Sequence, residues 1–111
     1  MKTLRMMPEY IEWVTQGKKW ATTRLKYNGD TEYELISGSY YKPIKSGVKI
    51  RVTSVYDWYP NLALPIERER EIVKAENFKD IRELIAVLMK LNKGKIDTAT
   101  PLHTIFFEVV K

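Results

Sequence analysis

The 111-residue sequence has no cysteine and a single histidine, His103. Without thiols there is no disulfide framework, no thiolate nucleophile and no cysteine-ligated zinc or iron–sulfur centre. One imidazole is too few for a histidine-based metal site, and the Asp and Glu residues do not take calcium-loop spacing. No structural metal and no cofactor are therefore expected. Long apolar runs are also missing: no stretch nears the roughly 20 residues that span a bilayer. The start MKTLRMMPEYIEWV lacks the apolar segment of a signal peptide. A cytosolic location is expected, with no membrane partner. Glutamine occurs once, at Gln16, a scarcity that, with high charge, is a thermophile trait.

What is present is globular in character. Apolar residues make up 44% and charged residues 30% of the chain, with no linker, repeat or low-complexity tract. That length and composition predict one domain over residues 1–111 with one core, expected as a monomer. Net charge is +5. Residues 1–52 hold ten Lys/Arg against five Asp/Glu, and the rest hold nine against nine, so the whole excess lies in the first half. Such asymmetry serves solubility or an anionic partner, RNA before membrane, because no basic amphipathic helix is visible.

Along the chain, Thr3 to Met6 reads as a strand, and Pro8 opens a helix that Gly17 closes. Residues 19–26 suit a strand. Asn28, Gly29 and Asp30 mark a turn, and 31–41 is a hairpin or a loop. In VKIRVTSVYDW, Val48, Ile50, Val52 and Ser54 share one face by period two. Pro65 leads into a charged helix to Asn77. A second helix from Asp80 carries Ile81, Leu84, Ile85, Leu88 and Met89 as a core-facing stripe. Gly94 and Pro101 precede the closing strand HTIFFEVV. The fold class is α+β, with strands curled into a barrel, a short N-terminal helix and a helical pair before the last strand.

Chemistry concentrates in GKKWATTR, Gly17 to Arg24. Strand alternation places Trp20, Thr22 and Arg24 on one face, and Lys19, leaving the helix cap, can approach it from the side. A threonine hydroxyl needs a base to attack anything; Lys19 is the candidate, its pKa lowered by like charges and partial burial. The same residues also make an ordinary solvated strand end. Gly17, Lys18, Trp20 and Arg24, with Lys42, Lys45 and Arg51 beyond, form the candidate ligand-binding set. Trp20 either stacks on a base or fills the core. Tyr40, Tyr41, Tyr56, Trp58 and Tyr59 interleave with Lys42, Lys45, Lys49 and Arg51, a mixture suited to a nucleic-acid groove or to ordinary strands. His103 has no acidic or second histidine neighbour in sequence and is read as structural or exposed.

Gly17, Lys19, Thr22 and Arg24 fit G-x-K-x-x-T-x-R, which resembles the signature of the ASCH domains, relatives of the PUA RNA-binding domains. Many ASCH sequences carry Glu where this chain has Thr22. The Thr form is similar to small bacterial amidohydrolases that deacetylate N(4)-acetylcytidine, which pair the Lys and Thr with a distant Glu-Asn just before the helix packed on the barrel. Glu76 and Asn77, in ENFKDIRELIAVL, stand in that context. The resemblance implies a PUA-like β-barrel, with Thr22 as nucleophile, Lys19 as proton acceptor, Glu76 as proton donor to the leaving amine and Arg24 as a substrate-orienting cation. It implies RNA or a modified nucleoside as the partner. Three activities follow: binding alone, amidohydrolysis of an N-acylated cytidine, and metal-dependent RNA cleavage, for which no ligand cluster is visible. The segment between Arg24 and Val48 is longer than in the compact bacterial enzymes, which puts substrate choice in question.

Overall fold

A computed structural model describes residues 2–62, 64–93, 96–97 and 99–111. Five strands, β1 (Lys2–Arg5), β2 (Ala21–Arg24), β3 (Glu32–Gly38), β4 (Pro43–Trp58) and β5 (Leu102–Val110), form one mixed sheet in the order β1-β3-β4-β5-β2. Among the described residues, only the β1–β3 pair is parallel. The sheet curls into a half-barrel, and three helices complete an α+β fold. Helix α1 (Pro8–Thr15) joins the two edge strands β1 and β2, while α2 (Ile66–Glu76) and α3 (Ile81–Leu91) fill the long connection from β4 to β5.

The helix ends are set by local chemistry. Pro8 sits in the first turn of α1, where its missing N–H costs nothing. Gly17 ends α1 at φ +75, with Lys18 N–H donating to the Trp13 carbonyl (2.8 Å) and Gly17 N–H to Val14 (3.1 Å). This is the paired bonding of a Schellman turn. Asn77 ends α2 the same way, at φ +63, with Phe78 N–H bonded to Val73 and Asn77 N–H to Lys74, both 3.1 Å. Asp80 caps α3 by accepting from the Glu83 N–H at 2.9 Å.

Two apolar clusters lie on opposite faces of the sheet. Ile11 and Val14 of α1 pack with Leu35, Ile50 and Phe107; Ile72, Leu84 and Leu88 of α2 and α3 pack with Trp58, Leu102 and Phe106. Phe106 and Phe107 thus serve different clusters, as period-two alternation requires.

Of the two alternatives for 31–41, the structure has the hairpin: the segment runs through β3 into the turn onto β4. Elsewhere the structure differs from the sequence reading: β4 begins at Pro43 rather than Val48. A bulge between Val52 and Ser54 shifts the register against β5, so Ser54 leaves the face of Ile50 and is exposed. Met89 is 46% exposed and outside the stripe that Ile81, Leu84, Ile85 and Leu88 present to the core. Gly94 lies outside the described residues.

Candidate functional site

The two Schellman turns point their next residues at each other. One turn delivers Lys19, two positions after Gly17; the other releases Phe78 just after Glu76 and Asn77. A backbone bond from Trp20 N–H to the Ala75 carbonyl (2.8 Å) locks the end of α2 against the start of β2. Between them, Lys19 Nζ meets Glu76 Oε1 at 2.5 Å and the Glu76 backbone oxygen at 3.4 Å. Both residues are 2% exposed.

Burying such a pair is costly unless every remaining polar position is met. Here the second carboxylate oxygen is met from behind. Thr23 Oγ1 donates to Glu76 Oε2 (2.5 Å), Thr104 Oγ1 lies 2.8 Å from Thr23 Oγ1, and Trp58 Nε1 donates to Thr104 Oγ1 at 2.8 Å. An indole nitrogen can only donate. With Glu76 ionised, the protons therefore all point one way, from Trp58 through Thr104 and Thr23 to the carboxylate. On the other side, the rings of Tyr10 and Phe78 lie 5.2 and 5.5 Å from Lys19 Nζ, within cation–π range. Burial lowers the Lys19 pKa; Glu76 opposes this by charge and hydrogen bond, and Arg24 adds to the lowering.

The pair opens on a cavity of about 510 Å³, in the size range of small-molecule sites. Lys19, Thr22, Arg24 and Glu76 supply its polar wall, Tyr10 and Phe78 its aromatic wall, and Leu84, Leu88 and Leu91 of α3 its apolar wall. Thr22 and Arg24 face it together because they are two apart on β2, while Thr23 between them faces α2. Arg24 Nε donates to Thr22 Oγ1 (3.2 Å), and its Nη2 donates to the carbonyl of Arg5 on the opposite edge strand. Arg24 thus spans the open side of the half-barrel. Burial lowers its pKa, and Glu76 acts against this.

Of the candidate site residues named from the sequence, Lys19, Thr22, Arg24 and Glu76 share this cavity, and the others do not line it. Gly17 shapes the turn. Trp20 precedes β2, is 38% exposed and stands outside the Thr22–Arg24 face, because the strand begins only at Ala21. Lys18, Lys42 and Lys45 are exposed, the last two on the β3–β4 hairpin. Arg51 lies on the outer face between Glu32 and Glu108, each 3.6 Å away. Trp58 is buried, and Tyr56 is half-buried beneath the Arg68 guanidinium, 4.7 Å from its ring. His103 Nδ1 lies 2.6 Å from Asp57 Oδ1, a partner 46 residues away in the chain.

Sequence reasoning missed Thr23, Thr104 and the aromatic pair around Lys19, and it read Trp58 as a groove or ordinary strand residue rather than as the buried donor to Thr104. For Thr23 a signal existed: in an edge strand both faces are used, so the second Thr of the Thr-Thr pair faces whatever packs behind. Among the described residues no group of three or more His, Asp and Glu side chains comes together.

No family model and no curated relative matches the sequence. Solved structures do resemble it in shape. The hypothetical protein PH0355 superposes with a TM-score of 0.62 at 19% identity, covering 99% of this chain and 100% of that one. A protein from Enterococcus faecalis, of the family DUF984, gives 0.64 at 18% identity over 99% and 80% of the two chains. An ASCH domain from Lactobacillus crispatus gives 0.58 at 14% identity over 91% and 70%. With its curled five-stranded sheet and inserted helices, the chain has the fold of an ASCH domain.

Proposed function

We propose that the cavity binds a nucleoside carrying an acyl group on an exocyclic nitrogen, such as N(4)-acetylcytidine, and hydrolyses that amide. The observation that carries this reading is the buried Lys19–Glu76 contact opening on the cavity that Thr22 lines. A neutral lysine has two N–H groups and one lone pair. Glu76 offers two oxygens to the N–H groups, which leaves the lone pair for a proton from the cavity side. Thr22 Oγ1 uses a lone pair to accept from Arg24, so its own proton remains to be given. The adjacent guanidinium also favours charge developing on that oxygen.

In the proposed reaction, Thr22 Oγ bonds to the acyl carbon while its proton passes to Lys19. The acyl carbon–nitrogen bond then breaks, and the leaving nitrogen takes a proton relayed through Glu76. Water hydrolyses the resulting ester, releasing the carboxylic acid and restoring the Thr22 hydroxyl. Tyr10 and Phe78 form an aromatic wall suited to a planar base. Incubation with N(4)-acetylcytidine, followed by chromatography of cytidine, tests the activity: steady release is expected, and no release overturns this substrate.

A second reading is binding without turnover. It is favoured by the hydrogen bond of Glu76 to Thr23 rather than Thr22, and it predicts saturable binding of N(4)-acetylcytidine with no cytidine formed. Metal-dependent RNA cleavage ranks behind both, since three or more carboxylate or imidazole donors nowhere converge among the described residues.

A further inference from the structure

The β3–β4 hairpin ends in the most exposed aromatic side chains of the fold. Tyr40 and Tyr41 are 80% and 89% exposed, with ring centroids 5.5 Å apart at 87°, and Ile44 beside them is 60% exposed. Apolar surface of this kind persists in solution at a cost and marks contact sites. Its charge is one-sided. At the tip, residues 37–46 carry two exposed cations, Lys42 and Lys45, and no carboxylate.

This tip is fixed to the rim of the cavity. Gly38 and Arg5 line the cavity, and Arg5 Nη2 donates to the Ser39 carbonyl at 3.3 Å. Lys42 N–H closes the turn onto the carbonyl (3.2 Å) and hydroxyl (3.0 Å) of Ser39. Tyr40 is two residues from Gly38, a span of at most about 7 Å. Exposed aromatic rings among cations, with no acidic side chain, suit a single nucleic-acid strand: each base has a face to stack and each phosphate a charge to meet. A symmetric contact between two copies of this tip would instead set its lysines against each other.

We infer that the hairpin is a docking arm for single-stranded nucleic acid, on which bases flanking the nucleoside in the cavity stack against Tyr40 and Tyr41. This deepens the proposed function, on which it rests for the occupant of the cavity, by making the substrate a nucleotide within a strand.

The test uses the full chain and a Tyr40→Ser/Tyr41→Ser variant, whose exposed side chains can be replaced without opening the core. Fluorescence anisotropy with labelled single-stranded RNA and DNA of about ten nucleotides should show binding that weakens with salt and falls about tenfold or more in the variant. Hydrolysis of free N(4)-acetylcytidine should be unchanged by the variant. Equal strand affinity in the two proteins overturns the arm and leaves the cavity reading standing. Strand binding that follows the tyrosines, with no nucleoside turnover in either protein, supports the arm and removes the hydrolysis. A tyrosine-dependent shift in size-exclusion mass, or tyrosine-dependent sedimentation with anionic vesicles, without strand binding would assign the tip to a second copy or to a membrane and overturn the inference.

Discussion

Lys19 and Glu76, 57 residues apart in sequence, meet at 2.5 Å in a site where each is 2% exposed. Removing one partner leaves an uncompensated buried charge, so Lys19→Met or Glu76→Leu alone should cost about 3–5 kcal/mol in urea denaturation. The double variant Lys19→Met/Glu76→Leu buries no charge. It should recover most of that loss while abolishing turnover, the signature of a pair retained for chemistry rather than stability.

The lowered Lys19 pKa has a sign that can be measured. The unfolded chain protonates this lysine with its ordinary pKa of about 10.4, and the folded chain does so only at lower pH. Between those two values the unfolded state binds more protons, so the contribution of Lys19 makes stability rise with pH across that window. The difference in unfolding free energy between wild type and Lys19→Met, followed upward from pH 7, should shift in favour of wild type. The rate of amide hydrolysis should rise through the folded pKa as the neutral amine forms. Because Glu76 holds that pKa up, Glu76→Gln should move the Lys19 titration to lower pH, read by NMR of its side-chain carbons.

The hydrogen-bond chain from Trp58 makes Thr104 a positioning residue for Glu76. Thr104→Val removes the acceptor for the buried Trp58 N–H and the donor to Thr23, with an expected loss of about 1–3 kcal/mol. It should also shift the pH profile of turnover, since Thr23 would be free to turn from Glu76. Thr104→Ser keeps the hydroxyl and should restore the profile even if packing is loosened.

Much of this was legible in the sequence because it is written in local signals. Pro8, Gly17, Pro65 and Asp80 mark helix ends through backbone chemistry, and the alternation in Val48 to Val52 marks a strand. Glu76-Asn77 was visible as a motif, but its physical reason is the left-handed turn at Asn77, which swings Phe78 over Lys19. What stayed hidden depends on long-range pairing: the bulge at Val52 that turns Ser54 outward against β5, and the meeting of Thr23, Thr104 and Trp58. Neither has a short-range cause. Trp20 lies outside the face that alternation predicts for it, because β2 begins only at Ala21.

Gly38 gives a further check on the hairpin. Its φ is +83, and an added Cβ would lie 2.5 Å from the Lys42 carbonyl oxygen, whereas Gly29, at φ +89, has nothing within 4 Å of that position. Gly29→Ala should cost only the left-handed backbone penalty of about 1–2 kcal/mol. Gly38→Ala should cost distinctly more in thermal denaturation, because the backbone of the turn must move as well.

The central claim is that Thr22 attacks with Lys19 as its base, and an acid-quenched reaction examined by peptide mass spectrometry tests it directly. With N(4)-acetylcytidine, an acetyl group should appear on the peptide containing Thr22, and Thr22→Ala should lose both the adduct and about a thousandfold or more of the turnover. Turnover that survives in Thr22→Ala, or an adduct on any other residue, would contradict it.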